Sequence, residues 1–206
     1  MRDVKLPEIR KAEILDASMK LFMEKGYLQT TTQDIINEVG ISRGLLYYHF
    51  KNKEEILYIL VDRSVNPLIA QMEKITEDNT LNPVEKLQQF LQTTIIQEET
   101  VTEETITLQE TVQLEENRYM MDRFYHKLIE KLLPLLTQII EEGKKQNLFQ
   151  VEHPYETAQF LVTGYVFVSN DIKLRHMSME KMMIYLQAFK RLLSKSLGIE
   201  ESILDG

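Results

Sequence analysis

The chain contains no cysteine among its 206 residues. That absence excludes disulfides, thiolate metal sites and cysteine nucleophiles, and it fits a reducing compartment, with the cytoplasm as the expected location. Glycine and proline are scarce, at 7 and 5 residues, so little interrupts long helices. No stretch approaches the ~18 apolar residues of a membrane span. The first residues carry Arg2, Asp3 and Lys5 without the apolar core of a secretion signal, so neither secretion nor a membrane partner is expected. The four histidines (His49, His126, His153, His176) are scattered. No His/Glu pair has metal-site spacing, and no glycine-rich phosphate loop follows a strand, so neither a metal nor a cofactor is implied and an enzyme is the weakest functional reading.

What the chain does have is the make-up of a globular protein, with 43% hydrophobic and 27% charged residues. A net charge of −8 is at first sight wrong for a protein that meets phosphates. Its distribution changes that reading. Residues 1–63 hold ten bases and ten acids, so the whole deficit lies in residues 64–206. An acidic body is repelled by DNA, which makes the neutral head the end expected to touch it.

Helical signals run from end to end and no strand run appears. A first helix from about Glu8 to Lys25 carries Ile14, Leu15, Ala17, Leu21 and Phe22 at helical spacing, with Gly26 placed for a left-handed C-cap. Thr31 and Thr32 are both N-cap candidates for a short helix with Ile35, Ile36 and Val39, which Gly40 ends. Ser42 is placed to cap a second short helix, Leu45 to Phe50. Two short helices joined by a tight glycine-containing turn form a helix-turn-helix pattern. Asn52 and Glu55 form a capping box for a long helix, in which Pro67 predicts a kink or break. Asn82, Pro83 and Glu85 start another helix. The Thr- and Glu-rich stretch from Glu98 to Glu116 still places Val101, Thr105, Leu108 and Val112 on one face. Further helices are expected over about Tyr119–Lys145, bent at Pro134, then from His153 and from Ser178, with a loose tail from Gly198.

The run Gly26-Tyr27, Thr30-Thr31-Thr32, Asp34-Ile35, Gly40-Ile41-Ser42-Arg43-Gly44 and Leu46 through Glu55 closely resembles the N-terminal signature of the tetracycline-repressor (TetR/AcrR) family, over about residues 10–60. The resemblance implies an all-α fold: a three-helix helix-turn-helix domain over 1–54, followed over 55–206 by a helical domain for effector binding and dimerisation. It implies a ligand-responsive transcriptional regulator, expected to be a repressor, that binds operator DNA as a homodimer. By that resemblance Thr32 donates to a phosphate at a helix N-terminus. Ser42, Arg43, Gly44, Tyr47, Tyr48 and His49 belong to the DNA-facing set, and Lys53 takes a phosphate from the start of the fourth helix. Phosphate contacts set register while base contacts set specificity. Phe50 and Leu46 read instead as core that locks the recognition helix, and Leu45 as a candidate contact for a thymine methyl.

The family's dimer helices correspond here to about His153–Leu174 and Ser178–Leu197, which carry more apolar surface than a monomer needs. Met120, Met121, Phe124, Tyr125, Tyr165 and Phe167 are candidate pocket residues that suit a small hydrophobic or aromatic effector, although aromatic and Met residues at this spacing are as a rule plain core. A second class of function keeps the fold but makes it a DNA-binding interaction module that regulates other machinery.

Overall fold

The computed structural model describes residues 6–94, 118–174 and 179–205, and among these residues every regular element is helical. In chain order they are α1 (Pro7–Lys25), α2 (Thr32–Val39), α3 (Arg43–His49), α4 (Lys53–Glu77), α5 (Pro83–Thr94), α6 (Arg118–Lys145), α7 (Pro154–Leu174), α8 (Met179–Leu197) and a short 3-10 helix (Glu201–Asp205). The amphipathic stretch expected over 98–116 lies outside the described residues, as does the expected start at Ser178. No described helix is long and apolar enough to cross a membrane.

The described residues fall into two compact units, one of residues 6–65 with 118–124, the other of 66–94 with 125–174 and 179–205. The first unit is built on α1 to α3 and the first half of α4. Ile14 and Phe22 of α1, Ile35 of α2, Leu46 and Phe50 of α3, and Ile56 and Leu57 of α4 are all buried. Burying each such side chain contributes about 1.5–3 kcal/mol, which is what holds helices as short as α2 and α3, too short to persist alone in water.

Local chemistry sets the ends of these helices. Gly26 closes α1 with φ 86° and ψ 148°, a region open essentially to glycine alone, rather than the left-handed helical cap its position suggested. The turn that follows is tied by Thr30, fully buried, whose hydroxyl donates to the carbonyls of Gly26 (2.8 Å) and Leu21 (3.1 Å). Of the two cap candidates for α2, Thr31 is the one used. Its hydroxyl accepts from the Asp34 amide, and Asp34 accepts from the Thr31 amide at 2.8 Å. Gly40 ends α2 in the left-handed region, φ 70° and ψ 38°. Asn52 accepts from the Glu55 amide at 2.8 Å to start α4, and the Glu55 carboxylate reaches back to the Lys51 amide at 2.6 Å.

The second unit packs α5, α6, α7, α8 and the rest of α4, with Met72, Leu87, Ile139, Ile140, Leu193 and Leu197 fully buried. The break considered at Pro67 does not occur: α4 runs through it as one helix, as α6 runs through Pro134. Each proline is exposed and removes one helical hydrogen bond, but buried neighbours on the opposite face (Val65, Ile69 and Met72; Leu132, Leu133 and Leu136) keep both helices continuous. Beyond α6 the chain turns at Asn147 (φ 58°) and folds the Phe149 ring over Gly143, where a Cβ would lie 2.0 Å from the ring.

The tail is not loose as expected. The Gln150 amide donates to the Leu197 carbonyl at 2.8 Å, the Gln88 side chain to the Ile203 carbonyl at 2.5 Å, and Leu204 is buried. A short 3-10 turn with one buried leucine carries no periodicity by which it could be foreseen.

Candidate nucleic-acid interface

The buried and exposed residues of α3 alternate with the helical period. Leu46 and Phe50, one turn apart, are 1% exposed each and anchor the helix to the core. Arg43, Gly44, Tyr47 and Tyr48 are exposed, while Leu45 and His49 are half-buried at the edges of that surface. Ser42 caps the helix, its hydroxyl accepting from the Leu45 amide at 3.3 Å, and is itself exposed. The cap uses the hydroxyl as an acceptor only and leaves its O–H to donate outward.

At Gly44, the second residue of α3, a Cβ would meet nothing within 4 Å among the described residues. Tyr47 connects the two short helices: the Thr32 side chain hydrogen-bonds its hydroxyl, and the Arg43 guanidinium lies 5.6 Å from its ring centre. The Thr32 hydrogen bond, then that of Arg43 and its charge, hold the Tyr47 phenol below its ordinary pKa. Tyr48 is 75% exposed and meets only the edge of His49 (5.0 Å, 82°) among its ring contacts. A tyrosine so exposed has flat apolar area and a hydroxyl to offer to a partner.

The charge around this surface is selective. In the first unit Arg10, Lys20, Lys25 and Arg63 each pair with a carboxylate. Arg43 and Lys51 are exposed and have no carboxylate partner among the described residues. Lys51, which follows α3 directly, was not among the expected contacts; its single charge at a helix end carries no pattern that distinguishes it in the sequence.

Lys53, expected on a phosphate, has its ammonium on the carbonyls of Tyr27 (2.6 Å) and Thr30 (2.8 Å), with Leu28 at 3.5 Å, and 4.2 Å from the Tyr27 ring centre. Burial pushes its pKa down from the usual lysine range. These contacts clamp the α1–α2 turn.

The six expected pocket residues are divided between the two units. Met120 is buried in the first unit, where Met121 and Phe124 are half-buried. Tyr125 packs edge-on against Phe167 (6.1 Å, 67°) in the second unit, and burial pushes its phenol up to about 12. Tyr165 alone of the six lines the apolar cavity of the second unit, whose walls are Leu87, Phe90, Leu91 and Thr94 of α5, Leu132 and Leu136 of α6, Val162 and Val166 of α7, and Phe189 and Leu193 of α8. Helical periodicity marks a residue as inward-facing without saying which interior it faces.

A buried-backed, smooth, cation-bearing short helix, joined to a second short helix through a glycine turn, defines the class of helix-turn-helix proteins. Residues 14–58 match the family described as "Bacterial regulatory proteins, tetR family", so the N-terminal module is similar to that of these regulators. It is 39% identical over 79 residues to the HTH-type transcriptional repressor KstR2 of Mycobacterium tuberculosis, covering 38% of this chain and 39% of that protein. It is 41% identical over 81 residues to the negative transcriptional regulator IcaR of the biofilm operon icaADBC of Staphylococcus epidermidis, covering 39% and 43%. These matches span about two-fifths of the relatives' lengths. The fold is that of SmeT, the repressor of the Stenotrophomonas maltophilia multidrug efflux pump SmeDEF, with a TM-score of 0.62 at 20% identity over 94% of this chain and 92% of that one.

Proposed function

We propose that the protein is a cytoplasmic transcriptional repressor that binds palindromic operator DNA as a homodimer and is released by a small hydrophobic or aromatic effector. The observation that carries the DNA reading is the exposed α3 face of Arg43, Gly44, Tyr47 and Tyr48 over buried Leu46 and Phe50. A helix of that kind suits the major groove, with Arg43 as donor, Tyr48 as an exposed ring and Gly44 as the point of closest approach. KstR2 and IcaR, to which the chain is similar over 79 and 81 residues, are named as a repressor and a negative regulator.

The dimer reading rests on apolar surface that the monomer leaves uncovered. On α7, Phe160, Gly164, Phe167 and Val168 share one face and are exposed, Phe160 by 82%. On α8, Met183, Ile184 and Leu192 are exposed as well. A second copy of the same surface covers such stripes with twofold symmetry, and a twofold dimer reads half-sites ~34 Å apart or a multiple of that.

The effector reading rests on the apolar cavity walled by α5 to α8. Its free volume is about 20 Å³, the room of one water, and its polar features are Thr94 and the Tyr165 hydroxyl, which donates to the Thr94 carbonyl at 3.2 Å. A ligand larger than water needs the lining side chains or helices to shift, and one that favours the opened state moves the population toward it.

The test is a titration of the purified protein on the DNA upstream of its own gene, at two salt concentrations and beside a scrambled duplex. Selective binding with two chains per site supports the regulator. Binding no tighter than to the scrambled duplex removes that operator, and the same result across a random duplex pool removes the DNA reading altogether.

A further inference from the structure

We infer that Tyr119 and Arg123, at the start of α6, are positioning residues for the DNA-reading helices, holding the turn that enters α2 and the helix that leaves α3 without touching DNA. The inference rests on the DNA-binding reading above, and every group in it belongs to the first unit.

Tyr27, in the α1–α2 turn, is 6% exposed. Phe22 meets it edge-on at 5.1 Å, and Tyr119 stacks on it at 5.4 Å with the rings 18° apart. The Tyr119 hydroxyl donates to Glu54 Oε1 at 3.2 Å and accepts from Arg123 Nη2 at 2.9 Å. Tyr58 donates to the same Glu54 oxygen at 3.2 Å. The Arg123 guanidinium lies 5.0 Å from the Tyr119 ring centre and 5.8 Å from that of Tyr58, and its buried Nε has no hydrogen-bond partner among the described residues. Among these residues, two rings and one hydroxyl orient it.

The placement of these contacts is what makes them positioning contacts. Tyr27 stands four residues before the Thr31 cap of α2, and its carbonyl is one of the acceptors that fix Lys53. Glu54 stands in the first turn of α4, four residues after the buried Phe50 that ends α3. Tyr119 stacks on the first and hydrogen-bonds the second. The α2–α3 pair is thus held at its entrance and at its exit by one side chain of α6. Tyr119 and Arg123 are separated by one helical turn, so the two move together as α6 moves.

The experiment uses the full chain with Tyr119→Ala, Tyr119→Phe and Arg123→Gln, a duplex that the wild-type protein selects from a random pool, and amide hydrogen exchange without DNA. The Tyr119→Ala protein is expected to lose about tenfold in affinity, the scale of one lost aromatic pair. Tyr119→Phe, which keeps the stack, is expected to stay close to wild type. Arg123→Gln is expected to weaken binding with an unchanged salt slope. In Tyr119→Ala the amides of residues 30–36 exchange faster while those of Ile139 and Ile140 do not, and Tyr119→Phe restores the protection. Wild-type affinity and protection in Tyr119→Ala overturn the proposal. So does faster exchange throughout the chain, which marks a general stability role, or a salt slope reduced by about one in Arg123→Gln, which makes Arg123 a phosphate ligand. If the wild-type protein selects no duplex, the DNA reading fails and the exchange result still decides whether Tyr119 holds the turn.

Discussion

Replacing Lys53 by methionine separates two roles that a basic residue at the head of a helix can have. Its ammonium makes two short charge-assisted hydrogen bonds, 2.6 Å to the Tyr27 carbonyl and 2.8 Å to that of Thr30, and lies 4.2 Å from the Tyr27 ring centre. A hydrogen bond to a charged group contributes about 1.5–3 kcal/mol and a partly exposed cation–ring contact about 0.5–1 kcal/mol. These are not additive: the site is partly open to water, which re-solvates the carbonyls, and methionine retains the packing of the stem. The expected cost is about 2–3 kcal/mol. With a urea dependence of about 2 kcal/mol per molar for a small domain, the unfolding midpoint should fall by about 1 M. Arginine should not rescue it, because a planar fork cannot converge on three carbonyls as a compact ammonium does. The assay is urea unfolding followed by circular dichroism, paired with DNA titration at several salt concentrations. The structural role predicts a lowered midpoint and an unchanged salt slope. A wild-type midpoint with the slope reduced by about one unit would refute it and return Lys53 to the phosphates.

Asp34 is held at about 2, first by the hydrogen bonds from Thr31, then by that from Lys25. Since its folded pKa is depressed, the stability it contributes is complete above the unfolded value near 3.8 and is lost as pH falls from there through about 2. Unfolding of the first unit followed from pH 5 to pH 2 should lose this dependence in Asp34→Asn; an identical profile refutes the assignment. Lys86 is buried, donating to the Thr76 carbonyl at 2.7 Å and to Glu142 at 2.8 Å. Burial opposes ionisation of Glu142, but the hydrogen bonds from Lys86 and Gln138 and the Lys86 charge hold it below the usual range. Lys86→Ala should cost about 3 kcal/mol in denaturant unfolding by stranding both acceptors, and a change under ~1 kcal/mol would show the pair to be dispensable. Pro67→Ala restores a helical N–H inside α4 and should raise the melting temperature. If bending at Pro67 is part of release, the same protein binds DNA normally but responds weakly to effector, whereas an unchanged response rules out that hinge.

How far these features can be read in the sequence depends on the range of the interactions that make them. The caps of α2 to α5 are local: Thr31 with Asp34, Ser42 with Leu45, and Asn82 with Glu85 act across three residues, so spacing reveals them. Burial of Leu46 and Phe50 follows from helical period alone. The contacts of Lys53 are not legible because its acceptors lie 23 to 26 residues away in a turn whose carbonyls carry no side-chain signature. The cavity walls are hidden in the sequence for a different reason. Met120 and Leu136 are equally apolar and equally periodic on α6, yet one packs in the first unit and the other faces the cavity of the second. Pro67 does not break α4 because tertiary burial on the far face outweighs the local cost of a lost hydrogen bond.

The division of labour within α3 has a consequence for how such a protein diversifies. Folding depends on Leu46 and Phe50, which point inward, while Gly44 and Tyr48 contribute almost nothing to the core. Substitutions at the outward positions leave stability nearly untouched, within the ~0.5 kcal/mol typical of surface changes. On the proposed DNA-reading role of α3, a gene duplicate can therefore drift from one target sequence to another in single steps, each copy remaining folded throughout, and the same two positions are where a designer seeking a new target would begin.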